Sequence, residues 1–342
     1  MLYGAYGRTG RLVLEEALRR GHKPVLAGRD GAQLTALAQT TGLATRPVSL
    51  DDGAEMCAAL SDVRCVLLAA GPYEATGPAM RRACLDARCS YLDINSEVED
   101  FGRAMASDPD ARRTDIAIIP GVGFGVVFAE CLAAYVKTQF PSATSLRLSL
   151  ATQTLGRSRG ATLSTAAAMA AGGCDIHGGV LRTRPIASPT WQVCGADGAA
   201  TRFAAAPRAE LVAVHRSTGI PNITTGIPLS WPAAVVMRVA GPVLGRILSS
   251  TAARASTPKA PHPSATAVDG LRSRIWAHAA DEAGNHRAAI LETGEGYLAA
   301  AQAAVRAVEL QLLEPRVGAL TPVQAFGARF ALLAAGTRIQ EL

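Results

Sequence analysis

Aromatic residues are scarce: Phe, Trp and Tyr together make up 5% of the chain, within an apolar content of 49%. A core built mainly from Ala, Leu and Val suits helices packed on a parallel sheet and argues against an aromatic-rich β-sandwich. Basic patches interleaved with aromatics, as a nucleic-acid surface requires, are absent. The net charge is +6, but the arginines are scattered and no run of five or six like charges occurs. That excludes a nucleic-acid tail and leaves a basic soluble protein, or a field that draws phosphate-bearing ligands. None of the seven cysteines is spaced C-x-x-C and no His cluster accompanies them, so no metal is expected. A glycine loop occupies the N-terminus in place of a signal-peptide pattern, and free cysteines without a secretion signal point to a cytoplasmic protein. No charge-free apolar run reaches transmembrane length. The nearest segment, 231–248, is interrupted by Arg238, Arg246, Gly and Pro. It reads as a buried or interface helix, with a membrane-surface helix as the alternative; no membrane partner is expected. No G-x-S-x-G nucleophile motif is present.

What is there is a strand–helix alternation. Met1–Tyr3 reads as a strand, residues 11–20 as an amphipathic helix ended by Gly21, and 24–27 as a second strand. A helix over 32–40, a strand over 45–50 and a helix over 53–60 follow. Val63–Ala70 is a continuous apolar run, the pattern of a strand buried on both faces. A helix over 76–87 and strands at 90–94 and 117–120 complete the pattern. This spacing predicts βαβ units and a parallel sheet. After Pro120 the rhythm changes. Helices are expected at 129–137, 161–171 and 296–313. Strands are expected at 145–152, 191–194, 211–214, 275–279 and 286–291. Ser249–Asp269 is rich in Ser, Thr, Ala and Pro and reads as a loop. The fold class is therefore α/β: an N-terminal Rossmann-type domain over 1–120, then an α+β domain with a mixed sheet over 121–342. The second domain is expected to supply a substrate wall and a homodimer interface, and the last helices are candidates to pack back on the first domain.

Gly4-Ala5-Tyr6-Gly7-Arg8-Thr9-Gly10 is a G-x-x-G-x-x-G loop between strand and helix. The first glycine permits the turn, the second lets backbone approach a pyrophosphate, and the third lets the helix pack close to the sheet. The helix N-terminus then offers free N–H groups and a positive dipole end to phosphate. An NAD enzyme usually ends its second strand on an acidic residue for the ribose 2′-OH. Here Arg29 stands there, and a guanidinium pairs with a 2′-phosphate through two parallel bonds. Arg8 can flank the same phosphate. NADP(H) is thus favoured, while Asp30 keeps NAD(H) open and a solvated Arg29 is the plain alternative. Asp51 follows the third strand and is either an acceptor for the adenine amine or an exposed loop residue. Ala70 and Gly71, after the fourth strand, let the nicotinamide ribose approach backbone.

Four groups are candidates for the acid–base work that accompanies hydride transfer. Tyr73 follows the fourth strand and serves either as a hydrogen-bond donor or as an aromatic wall. Asp93 and Glu97, at and beyond the end of the next strand, can serve as acid–base groups, with a loop cap or a salt bridge as the alternative for Glu97. His215 ends the strand expected at 211–214, with a structural histidine as the alternative, and Arg216 can hold a carboxylate or phosphate. Lys137 reads as a solvated charge; His177, His262 and His286 read as incidental.

Several short motifs recur in one order along the chain. They are the Gly4–Gly10 loop, Leu26-Ala27-Gly28-Arg29, Gly71-Pro72-Tyr73 with Gly77-Pro78, and the 91–97 segment around Asp93. Pro120-Gly121-Val122-Gly123-Phe124, Ser217-Thr218-Gly219-Ile220-Pro221-Asn222, the 281–285 turn, Glu295-Gly296-Tyr297 and Thr321-Pro322 follow. On these the chain resembles the saccharopine dehydrogenase-like NADP-binding oxidoreductases, including proteins labelled trans-acting enoyl reductases. The resemblance implies a small-molecule substrate and reduction of a C=N, C=C or C=O bond. It departs from the family where Gly125 and Phe128 replace an Asp and a Pro, where Glu130 replaces an Asp, and where Ser96 replaces a Gly. If the missing Asp donates the proton in relatives, this chain uses another group or binds NADP(H) without turnover, as a sensor or accessory protein.

Overall fold

The apolar run of the fourth strand lies inside a parallel sheet, as its burial on both faces requires. The computed structural model describes residues 1–154, 156, 159–194, 200–254 and 270–342. Two compact units emerge. The first comprises 1–95, 99–127 and 297–334; the second comprises 96–98, 128–296 and 335–342. Where the sequence suggested a boundary after Pro120, the first unit continues to Val127 and recovers a late segment of the chain.

The first unit alternates β1 (Leu2–Tyr3), α1 (Arg8–Arg19), β2 (Leu26–Gly28), α2 (Gly31–Thr41), β3 (Thr45–Pro47), α3 (Gly53–Leu60), β4 (Cys65–Leu68), α4 (Tyr73–Ala87) and β5 (Ser90–Asp93). Next come α5 (Val98–Ala106), α6 (Asp108–Thr114) and β6 (Ala117–Ile119). The late segment adds β15 (Gly318–Ala319), which pairs with β6. Its strand order is β15-β6-β5-β4-β1-β2-β3, and every pair is parallel. The chain moves outward from β1 to β3 and then returns to the other side of β1 to form β4. The topological switch point thus lies at the carboxyl ends of β1 and β4, where open α/β sheets bind ligands.

β1 has only two residues, yet both neighbours are fully laddered to it. Leu2 and Gly4 donate to the carbonyls of Val25 and Ala27, and Leu67 and Ala69 donate to those of Met1 and Tyr3. α1 ends as its sequence signals: Gly21 takes φ +84°, its N–H reaches Leu18, and that of His22 reaches Ala17. This is the paired bonding of a Schellman cap. The helix α11 (Gly296–Leu313) ties back to α1 within this unit, through Glu309 bound by Arg20 and His22. α12 (Pro322–Phe326) starts on a capping box from Thr321 and Gln324.

The second unit holds α7 from Phe128 onward (the helix runs Phe124–Gln139), β7 (Ser145–Ala151), α8 (Arg159–Ala171), β8 (Gly173–His177), β9 (Val180–Arg184), β10 (Thr190–Cys194) and β11 (Ala200–Ala205). α9 (Glu210–Thr218), β12 (Asn222–Pro228), α10 (Trp231–Arg254), β13 (Ser273–Ala280), β14 (His286–Thr293) and β16 (Arg338–Glu341) follow. The sheet order is β10-β11-β12-β7-β13-β14-β16, with the β8–β9 hairpin attached at β12. It is mixed because β12 and β7 are parallel among antiparallel neighbours. Its aromatic face is packed from Trp191, Phe203 and Trp276, with Val193, Ala205 and Ile290 beside them. A Cβ at Gly226 would meet the Trp191 ring at 2.3 Å, so that glycine is a packing requirement. These residues are buried.

Two expectations need correction. Leu211–Val214 is not a strand but part of α9, which ends at Gly219 with φ +69°. Ser249–Asp269 is helical through Arg254; positions 255–269 lie outside the described residues.

Candidate nucleotide site

The glycine loop is held by its own backbone. Gly4 takes φ +84°, and a Cβ there would lie 2.9 Å from Ala70 Cβ and 3.0 Å from the Ala69 carbonyl carbon. The loop after β1 and the segment after β4 therefore touch at the switch point. A Cβ on Gly10 would sit 2.1 Å from the Gly4 carbonyl oxygen, so only glycine lets α1 begin this close to the strand. Gly7 is the N-cap of α1 and contributes no side chain to the first turn, which also carries no acidic residue. First-turn amides have no intrahelical acceptor. An uncapped helix start beside a tightly packed glycine loop is a fit for a pyrophosphate. Thr9 is half-buried within that turn.

Tyr6 lies between this loop and the end of β2. Its ring fills the space over Gly28, where a Cβ would come within 2.6 Å of it. Its hydroxyl accepts from the Asp30 N–H at 3.3 Å. Asp30 caps α2: Oδ1 accepts from the Gln33 N–H at 3.1 Å and Oδ2 from the Gln33 side-chain amide at 2.7 Å. Those bonds, with Arg29 nearby, hold its carboxyl below the usual carboxylate range. Arg29 is exposed. Asp51 is exposed too, and its Oδ2 accepts from the Ser49 hydroxyl at 2.9 Å. The Arg8 guanidinium sits over the Tyr297 ring, 4.8 Å from the centroid.

After β4 the Ala70 carbonyl accepts from the Thr76 hydroxyl at 2.7 Å. Gly71 lies against the Tyr73 ring, 3.3 Å from where its Cβ would be. Tyr73 opens α4 and is buried.

Asp93 is placed differently from an acid that faces a ligand. It is fully buried. Oδ2 accepts from the Tyr91 hydroxyl at 2.5 Å, and Oδ1 accepts from the Asn95 N–H at 2.8 Å and the Gly121 N–H at 2.7 Å. These donors tie the loops after β5 and β6 together. Burial raises its carboxyl to about 6 despite them, and burial likewise pushes the Tyr91 phenol up. His215 belongs to the second unit and is half-buried on α9, with Nδ1 at 2.9 Å from the Ile220 carbonyl oxygen. That bond closes the helix end, so His215 has a structural task. Glu97 accepts from the Ser164 hydroxyl at 2.5 Å. Lys137 is more than a solvated charge: it donates to the carbonyls of Pro141 and Ala143. His262 lies outside the described residues.

Sequence reasoning missed one buried network. Arg81 meets Asp100 through two bonds of 2.9 and 2.6 Å, and Asn95 Nδ2 donates to Asp100 Oδ2 at 2.9 Å. The Arg81 guanidinium lies 5.7 Å from the centroid of the Tyr91 ring. Burial opposes its charge, and Asp100 more than offsets that, so the guanidinium stays protonated. The signal was present: Arg81 shares the buried face of α4 with Gly77, Met80 and Cys84, at helical spacing.

Comparison with known proteins fits this geometry. An NAD(P)H-binding family model matches residues 4–90. A probable mitochondrial saccharopine dehydrogenase-like oxidoreductase of Arabidopsis thaliana is 30% identical over 150 residues, which is 38% of this chain and 32% of the relative. The matched part is thus about a third of that protein's length. Apo saccharopine dehydrogenase (L-Glu forming) of Saccharomyces cerevisiae shares the fold over 100% of this chain and 99% of its own, with TM-score 0.64 and 12% identity. Homospermidine synthase of Legionella pneumophila, solved with NAD, does so over 100% and 90%, with TM-score 0.62 and 9% identity. The family model marks NAD(P)H binding over 4–90, the plant relative is similar over part of its length, and the two solved structures share the fold.

Proposed function

We propose that this chain is an NADPH-dependent reductase that transfers hydride to a C=N, C=C or C=O bond of a small molecule. The observation that carries the cofactor preference is the state of Arg29 and Asp30. The carboxylate that an NAD enzyme would turn to the ribose 2′-OH is engaged at both oxygens by Gln33. Arg29 beside it is exposed, and none of the described residues engages its guanidinium. A 2′-phosphate satisfies that guanidinium with two charge-assisted bonds.

The nicotinamide supplies the hydride. The chain supplies orientation. The uncapped start of α1 and the Gly4–Gly10 backbone hold the pyrophosphate, and Tyr6 walls the space over Gly28 next to the adenosine ribose. The packing of Gly4 on Ala69 and Ala70 keeps both switch-point loops free of bulk. Asp93 accepts from loop donors and His215 lies against a carbonyl. We assign Tyr73, which opens α4 past the end of β4 at the switch point, to orient the acceptor through its phenol.

Titration of NADPH and NADH into the wild type and Arg29→Ala tests the preference. The expected result is about a 10- to 100-fold loss of NADPH affinity with NADH binding nearly unchanged. Equal loss for both cofactors refutes the assignment. A second reading, a non-catalytic NADP(H) binder, is favoured by Gly125, which stands where the family that the chain resembles usually has Asp. NADPH binding without oxidation against a panel of imines, enones and ketones would select it.

A further inference from the structure

α10 is packed inside out. The side it turns to the protein is made mostly of small residues: Ala234, Gly241 and Gly245 are buried, with Met237 packed beside Ala234. Gly245 is pressed onto α8 so closely that a Cβ would lie 2.4 Å from the Ala170 nitrogen and 2.7 Å from the Ala166 carbonyl oxygen. The side it presents to solvent carries the large apolar residues. Trp231 is 62% exposed, Val236 55%, Val239 79%, Val243 57% and Ile247 53%, with Val235 also exposed. At 100° per residue these six fall within an arc of about 160°, along roughly 24 Å of helix. A sequence-level reading as a buried helix fails here because the helix docks through glycine and alanine. Its exposed large residues are covered neither by α8 nor by the Ile186–Ala187 segment on which the helix also packs. An exposed apolar patch of this extent marks an interaction surface.

Charge identifies the partner. From Leu211 to Val268 the sequence contains no Asp or Glu, and its charged residues are Arg216, Arg238, Arg246, Arg254 and Lys259. A second copy of the chain would meet this helix with a sequence segment of the same sign of charge, a mismatch of like with like. A surface that is apolar beneath and negative above matches both properties. No described helix is long and apolar enough to cross a membrane, so a helix of this kind lies in the interface instead.

We propose that α10 docks on the surface of an anionic lipid bilayer, with Trp231, Val235, Val236, Val239, Val243 and Ile247 in the headgroup–acyl boundary. This inference stands independently of the cofactor assignment.

The test is flotation of the purified full chain with phosphatidylcholine vesicles that contain or lack phosphatidylglycerol. Trp231 reports the same event by fluorescence, because Trp191 and Trp276 are buried. The expected result is co-flotation with the anionic vesicles and a blue shift of the emission. Binding should be at least tenfold weaker without phosphatidylglycerol and should fall in 0.5 M salt, a concentration on the order of that which screens surface charge. The double variant Val239→Asp/Val243→Asp alters only exposed positions. It should keep the wild-type circular dichroism and melting curve and lose at least tenfold in vesicle binding. Absence of flotation and of a blue shift with anionic vesicles overturns the proposal, as does undiminished binding by the folded double variant. Light scattering that shows a dimer in the wild type and a monomer in the double variant, with neither floating, assigns the face to a second copy and also overturns it.

Discussion

Replacing Asp100 with asparagine keeps the side chain's size, removes the charge from the Arg81–Asp100 pair and sets an amide NH2 among the donors of Arg81 and Asn95. Arg81 is 4% and Asp100 0% exposed, so the guanidinium would be left buried without a counter-charge. Breaking such a pair from one side costs about 3–5 kcal/mol, whereas a surface pair is worth about 0–1 kcal/mol. The amide oxygen can still accept one of the two guanidinium bonds, so the lower end, about 3 kcal/mol, is expected. Urea denaturation followed by far-ultraviolet circular dichroism gives the midpoint, with the slope unchanged. Hydrogen exchange should localise the loss to β5 and the 94–105 segment, because Asn95 shares Asp100. All three tryptophans lie in the second unit, so their fluorescence provides a separate signal. The double variant Arg81→Met/Asp100→Leu removes both charges and should recover most of the stability. A loss below about 1 kcal/mol in Asp100→Asn, or no recovery in the folded double variant, refutes the view of the pair as a buried, mutually dependent unit.

Three further outcomes are expected. Asp93 binds its proton more tightly in the folded chain, at about 6 against an ordinary value of 3.8. Its stabilising contribution is therefore complete below pH 3.8 and lost as the pH rises to about 6. Relative to Asp93→Asn, wild-type stability should fall by about 3 kcal/mol across that window; a flat difference contradicts the raised value. Gly10→Ala drives a methyl into the Gly4 carbonyl and should destabilise the fold by about 1–3 kcal/mol or more and weaken nucleotide binding, and wild-type melting and affinity would count against the packing argument. Tyr73→Phe should lower turnover by about 100-fold or more at unchanged NADPH affinity, and full turnover would remove the phenol from the chemistry.

The parallel sheet was legible because Val63–Ala70 is apolar throughout and because glycine closes α1 at Gly21. The glycine loop was legible for the same reason that it is rigid: Gly4 and Gly10 tolerate no side chain. The β8–β9 hairpin went unread although Gly178-Gly179 marks its turn, with φ of +59° and +80°; its strands were screened by arginines at 182 and 184. α9 was misread because Leu211-Val212-Ala213-Val214 suits strand and helix alike, and only Gly219 marks its end. Site roles were less legible than site positions. Sequence puts Asp93 at a strand end, but only the fold reveals that Tyr91, Asn95 and Gly121 use up its oxygens. Arg81 looks like one of the scattered arginines in the sequence, and only the packing of α4 turns it inward. The outward face of α10 depends on what packs beneath it, which no local pattern encodes.

The most direct measurement of the central claim is a crystal structure of the chain with NADPH bound. The Arg29 guanidinium should lie within hydrogen-bond distance of two 2′-phosphate oxygens, with the pyrophosphate on the first-turn amides of α1 and Asp30 still on Gln33. A 2′-phosphate directed to solvent, or an Asp30 that has left Gln33 for a ribose hydroxyl, would contradict it.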